Sequence, residues 1–213
     1  MNIPLYPQAY QLDMQQVLLS NHFYRDASGW KIVDNKNEKT FVRDNHYWLE
    51  NISEQTRLTY EKCMPVDVTD DWFLEAEIEL MSDKAEGHYG LVWGFNEEKE
   101  MLNSFTVSAD CKSALVMHYE NNSGCVLHHF QKNWDIENNK HPVHLAILKM
   151  CDYYYFLINQ NMFYVCEASH FAANGSYAGY CVDPGLLIRS RSFSLTKMIV
   201  KKDKEKLIEH LYF

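Results

Sequence analysis

Phe73-Leu74-Glu75-Ala76-Glu77-Ile78-Glu79-Leu80 is the stretch that decides the fold. In an extended chain successive side chains point to opposite faces. Leu74, Ala76, Ile78 and Leu80 then share one side, and Glu75, Glu77 and Glu79 share the other. That is the pattern of a strand with one buried and one solvated face. A helix would scatter the three glutamates around its axis.

Short strand-like runs separated by turn signals continue on both sides. Upstream lie Trp30–Val33, the polar turn 34–37, Tyr47–Asn51 and Arg57–Lys62. Downstream lie Tyr89–Phe95, Phe105–Ala109, Ala114–Glu120, Cys125–Phe130, Val143–Lys149, Tyr153–Ile158, Met162–Cys166, Gly179–Val182 and Leu186–Leu195. Gly90 and Gly94 inside one run point to a bulge or a close backbone approach. Asp110-Cys111-Lys112, Met150-Cys151-Asp152 and Asn159-Gln160-Asn161 read as turns. A dozen short strands with almost no helical period between them predict an all-β, two-sheet antiparallel sandwich. Residues 21–197 form that domain. Residues 1–20 are a lead-in, extended at Pro4 and Pro7, with a short helical turn allowed by Leu12, Gln15, Gln16 and Leu19. Residues 198–213 are a tail whose Ile199, Leu207, Ile208 and Leu211 suit a short docked helix.

Bulk properties narrow the partners. With a net charge of −9, the chain repels phosphate backbones unless basic residues concentrate. The one basic run, Lys201, Lys202, Lys204 and Lys206, is broken by Asp203 and Glu205. Nucleic acid and anionic membrane are therefore poor partners. Residues 1–20 lack a basic segment followed by an apolar one, and no stretch has the length of a membrane span. The expectation is a cytoplasmic protein. Six scattered cysteines without a C-x-x-C pair read as free, buried thiols in a reducing compartment. Sequons stand at Asn51, Asn121 and Asn174.

Several stretches in order carry a family likeness. They are Asp26-x-x-Gly29-Trp30, Trp72-Phe73-Leu74-Glu75-Ala76-Glu77-Ile78, Tyr89-Gly90-Leu91-Val92-Trp93-Gly94-Phe95, Phe105-Thr106-Val107-Ser108-Ala109-Asp110 and Leu148-Lys149-x-x-Asp152-Tyr153-Tyr154-Tyr155-Phe156-x-Ile158-Asn159. Together they resemble the concanavalin A-like lectin/glucanase jelly roll, and within it an uncharacterised bacterial branch. The likeness spans residues 20–196. The chain departs from that branch where Gln160 replaces the glycine of a tight turn. The superfamily holds both enzymes and inert binding modules, so the resemblance implies a fold and leaves activity to the sites.

Glu75-x-Glu77-x-Glu79 resembles the Glu-x-Asp-x-Glu strand of the superfamily's retaining glucanases. The resemblance implies Glu75 as nucleophile and Glu79 as acid/base. Alternate strand residues lie roughly 7 Å apart, and a retaining pair needs carboxyls about 5 Å apart. Against this, the middle residue is Glu rather than Asp, and a solvated strand shows the same alternation for solubility alone. Trp93, Tyr119, Trp134 and Tyr154 are the candidate stacking platforms for a sugar ring. Trp93 sits in an apolar run that suits the core, and Trp134 between Asn133 and Asp135 suits the surface. Asp67, Asp70 and Asp71 form an acidic loop with oxygen ligands suited to Ca²⁺, though without a known loop spacing. His118, His128, His129, His141 and His144 lack convergent spacing for zinc, so no other metal is expected. The leading expectation is a non-catalytic recognition module for a glycan or a protein. The alternatives are a glycoside hydrolase acting through Glu75 and Glu79, and an assembly subunit using its tail or a sheet edge.

Overall fold

The computed structural model describes residues 15–24, 29–54, 58–63, 70–96, 101–120, 123–131, 142–171 and 177–198. Fifteen strands are present: β1 Gln15–Asn21, β2 Val33–Asp34, β3 Glu38–Arg43, β4 His46–Asn51, β5 Leu58–Cys63, β6 Trp72–Leu80, β7 His88–Asn96, β8 Met101–Ser108, β9 Ser113–Glu120, β10 Ser123–Gln131, β11 Val143–Met150, β12 Tyr153–Ile158, β13 Asn161–Glu167, β14 Tyr177–Val182 and β15 Leu187–Met198. A single 3₁₀ turn, Ala168–His170, is the one helical piece among the described residues. None of their helices is long and apolar enough to cross a membrane.

The strands form two antiparallel sheets, a large one of nine strands and a small one of six. The large sheet runs β13-β12-β11-β6-β15-β4-β3-β2, with β1 added on β15, and the small sheet runs β10-β9-β8-β7-β14-β5. The strand β6 behaves as its alternation dictates. Trp72, Leu74, Ala76, Ile78 and Leu80 are buried, and the glutamates between them face outward. The inward face meets Tyr89, Leu91 and Trp93 of β7 and Phe105 and Val107 of β8 in one core. Two aromatic nests fill its ends. Phe23, Trp30, Tyr47, Tyr180 and Phe193 pack with ring centroids 4.9–6.3 Å apart. Trp93, Tyr154, Phe156 and Phe171 pack at 4.8–6.2 Å. Such offset and edge-on pairs add about 0.5–1.5 kcal/mol each beyond burial.

Special backbone positions match their sequence signals. A Cβ on Gly90 would lie 2.2 Å from the Phe105 carbonyl oxygen, so β7 and β8 approach too closely there for any side chain. Gly94 has φ +66° and sits where the β7–β8 register shifts. At the β12–β13 hairpin, Asn159 and Gln160 both take left-handed φ, 49° and 66°. This is the tight two-residue turn that usually recruits Asn-Gly.

Some expectations need correction. Residues 15–21 are strand, not helical turn. They pair with Phe193–Met198, the part of β15 beyond the end of β4, and that tertiary pairing overrides a faint helical period. The strand β3 was absent from the sequence reading, because Glu38, Lys39 and Arg43 at its ends mask the apolar alternation. Cys111, Cys166 and Cys181 are buried as expected, but Cys125 and Cys151 are exposed, on an edge strand and at a turn. Of the tail expected as a docked helix at 198–213, Met198 is the last residue of β15 and 199–213 lie outside the described residues.

Candidate functional site

On the outer face of the large sheet, the glutamates of β6 are not isolated. Three straight rows of directly opposed residues cross the strands. Phe41, Trp48, Arg189 and Glu79 make the first row. Ser192, Glu77 and His144 make the second, and Ser194, Glu75 and Ala146 the third. Opposed side chains on one sheet face sit close enough to interact, and here they do. Phe41 stacks on Trp48 at 5.6 Å and 7°. The Arg189 guanidinium lies 5.5 Å from the Trp48 ring centroid. From there it donates to Glu79 Oε2 through Nε at 2.7 Å and contacts it through Nη2 at 2.6 Å.

Glu75 is held from both neighbouring strands. His144 Nε2–H donates to Oε2 at 2.9 Å, and Ser194 Oγ–H donates to Oε1 at 2.9 Å. The His144 hydrogen bond lowers the carboxyl pKa below its ordinary 4.5. Burial opposes that, and the Ser194 hydrogen bond adds to the lowering. Glu77, between the two along β6, is half-buried in the middle row. The structure thus brings Glu75, Glu77 and Glu79 onto one face, with Glu75 and Glu79 each engaged across strands.

The aromatic candidates separate. Trp93 and Tyr154 are 1% and 2% exposed and belong to the core nest, so neither is a stacking platform. Both share the inward parity of their strands, which closes them to any ligand. Tyr119 is half-buried on the outer face of the small sheet, its hydroxyl donating to Met117 Sδ at 3.3 Å. That face is floored by Val92, Ser104, Thr106 and Cys181, all closed to solvent. Trp134 lies outside the described residues. Trp48, which the sequence reading missed, is the aromatic standing beside the carboxylates. Its signal was available: Tyr47, Leu49 and Asn51 are buried, so Trp48 faces out.

Of the acidic loop's three aspartates, Asp70 and Asp71 lie among the described residues. Asp70 binds Lys197 Nζ at 2.7 Å. Asp71 accepts the Cys151 N–H at 2.7 Å and lies 3.6 Å from Lys149 Nζ, tying the β11–β12 turn to the start of β6. Asp67 is outside the described residues, among which no three His, Cys, Asp or Glu side chains converge on a metal position. His118, His128 and His144 are half-buried and locally engaged. His118 Nδ1 is 2.7 Å from Asn103 Oδ1, and His128 stacks on Tyr164 at 4.1 Å. Burial pushes the Cys166 thiol up to about 12 and the Cys111 thiol upward, so neither is a thiolate nucleophile at neutral pH.

No protein-family model and no curated protein matches the sequence. Solved structures match the fold throughout. The catalytic domain of an endo-1,3-β-glucanase (laminarinase) from Thermotoga petrophila is 9% identical, with TM-score 0.62, covering 88% of this chain and 99% of that one. A galectin-like protein of unknown function from Bacillus subtilis is 11% identical, with TM-score 0.62, covering 89% and 100%. The CBM2 module of the evolved Dit of Lactobacillus casei BL23 phage J-1 is 8% identical, with TM-score 0.55, covering 88% and 98%. The chain has the concanavalin A-like lectin/glucanase jelly-roll fold.

Proposed function

We propose that this protein is a non-catalytic glycan-recognition module that uses the outer face of its large sheet. The observation that carries the reading is the polar row itself. Glu79 is committed to Arg189, and Glu75 is held by His144 and Ser194. A retaining hydrolase needs two carboxyls about 5 Å apart, one of them ready to give a proton to the leaving group. Each of these carboxylates is drawn toward a cross-strand partner and away from that task. The same fixing favours binding. Donors and acceptors pre-set on rigid strands lose little entropy when a hydroxyl-rich ligand arrives. Likeness to a carbohydrate-binding module and to a glucanase domain supports the reading at the level of fold.

The test is a glycan array and a polysaccharide pull-down with wild type, Glu77→Gln and Trp48→Ala, folding being monitored by circular dichroism. Wild type is expected to retain a subset of glycans without releasing reducing ends. Both variants are expected to weaken retention at least tenfold. An empty array and pull-down sink the proposal.

One observation favours a second reading, hydrolysis. The lowered Glu75 pKa suits a nucleophile that must stay ionised. That reading requires turnover of a β-glucan or related polymer that disappears in Glu75→Gln. A broad panel without hydrolysis by wild type removes it.

A further inference from the structure

A cleft of about 140 Å³ opens elsewhere on the large sheet, lined by His22, Tyr24, Asp44, Asn45, His46 and Arg191. It lies where β15 changes neighbour. Up to Ser190 that strand pairs with β4, and from Phe193 onward it pairs with β1. The end of β1 and the β3–β4 hairpin therefore part around residue 191.

Three unusual backbone features build this cleft. First, the β15–β6 register shifts between Ser190 and Ser192, which makes Arg191 the extra residue of a bulge. The bulge is anchored from below. Tyr180 of the small sheet donates to Ser190 Oγ at 2.7 Å, and Ser190 Oγ lies 2.9 Å from the Glu77 carbonyl and 3.0 Å from that of Ser192. Second, Asp44 and Asn45 both have left-handed φ, 52° and 60°, giving the tight turn that projects them with His46. Third, Phe23 has φ 50°, a left-handed conformation that is strained for a bulky residue. Its ring stacks on Tyr47 in the core at 5.4 Å, which holds the strain in place. The neighbours His22 and Tyr24 are left side by side, ring centroids 5.8 Å apart. Strain of this kind persists where the surroundings over-determine it, and it gathers at ligand sites.

The lining groups define a ligand. Tyr24 is 68% exposed and offers an apolar ring face with a polar tip. Arg191 is exposed and has no ion-pair partner among the described residues, so its planar fork is open to a carboxylate. His46 Nδ1–H donates to the Asp44 carbonyl at 2.6 Å, which leaves Nε2 for the cleft. Asn45 and Asp44 supply an amide and a carboxylate to hydroxyls. The volume is well below the roughly 300–1,000 Å³ of pockets that enclose drug-sized ligands. One ring fits better than a chain. The net charge of −9 disfavours a polyanion over a single charge.

We propose that this cleft is a subsite for one carboxylate-bearing sugar ring, with Arg191 on the carboxylate and Tyr24 against the ring. The proposal rests on the glycan reading for the class of ligand but uses a different surface. The test is a ¹H–¹⁵N titration of wild type, Arg191→Gln and Tyr24→Ala with methyl glucuronide, methyl glucoside and acetate. Saturable shifts are expected at His22, Tyr24, Asn45 and Arg191 with the glucuronide, and at least tenfold weaker binding of the glucoside and of acetate. Arg191→Gln, its spectrum still dispersed, is expected to lose at least tenfold for the glucuronide and little for the glucoside. Shifts that do not saturate overturn the proposal, as does equal binding of glucoside and glucuronide. An array positive only for neutral glycans likewise overturns it while sustaining the broader glycan reading. Glucuronide binding that survives Arg191→Gln unchanged overturns the role given to Arg191.

Discussion

Replacing Gly90 by alanine is the sharpest probe of how closely β7 and β8 approach within the small sheet. The added Cβ would lie 2.2 Å from the Phe105 carbonyl oxygen, 2.8 Å from Thr106 Cα and 3.1 Å from the Phe105 carbonyl carbon. The first distance falls 0.8 Å short of the 3.0 Å that real Cβ atoms keep, and all three neighbours are backbone. Relief requires β8 to recede from β7, at the expense of ladder hydrogen bonds beside the buried Leu91–Phe105 pair. Overpacking of this kind costs about 1–3 kcal/mol, and a rigid backbone neighbour puts it near 3. Gly124→Ala is the matched control. Its nearest contacts, 2.9 Å to Tyr119 Cε1 and 3.2 Å to Met117 Cε, are ends of side chains that can rotate away. There the change is expected within about 0.5 kcal/mol of neutral. Urea unfolding followed by tryptophan fluorescence reads both. With a slope of about 2 kcal/mol per molar, a loss of about 3 kcal/mol lowers the midpoint by about 1.5 M. Equal midpoints for the two variants would refute the close-approach reasoning.

Asn51→Ala removes the donor to the Val182 carbonyl at 2.8 Å and the acceptor for Ser53 N–H and Oγ–H, and is expected to cost about 2–4 kcal/mol in chemical denaturation. Gln160→Gly relieves a left-handed residue and restores Asn-Gly. A gain of about 0.5–1 kcal/mol is expected, seen as a higher urea midpoint. Glu75 has a folded-state pKa below its ordinary 4.5, so its stabilisation is complete above that pH and is lost as pH falls through the folded value. Unfolding midpoints measured from neutral pH down to about pH 3 are expected to fall less steeply in Glu75→Gln than in wild type.

The fold was legible where local pattern and tertiary role agree. The glutamates of β6 announce a half-buried strand, and the strand is half-buried. Gly90 and Gly94 announced a close approach and a bulge, and each does one of them. The site was less legible because its parts are distant in sequence. Nothing near Trp48 signals that Arg189 will stand over it, since the pairing of β4 with β15 joins them. Tyr153, Tyr154 and Tyr155 are chemically alike, so only the sheet decides that Tyr154 joins the main core while Tyr153 and Tyr155 join the second apolar cluster on the sheet's other side. The bulge at Arg191 exists only relative to β6, and a single strand read alone cannot display it. Strand β1 shows the same limit, because its partner is the far end of the chain.

Asn51 carries a consequence for making the protein as well as for its stability. Asn51-Ile52-Ser53 is a glycosylation sequon, yet its amide is 0% exposed, with Nδ2 spent on Val182 and Oδ1 on Ser53. An oligosaccharide transferase and the native fold compete for the same nitrogen atom. In a secretory host, any chain that receives sugar there is barred from seating the Asn51 amide on the Val182 carbonyl. Occupancy at Asn51 would then act as a clock, recording what fraction of molecules met the enzyme before they finished folding.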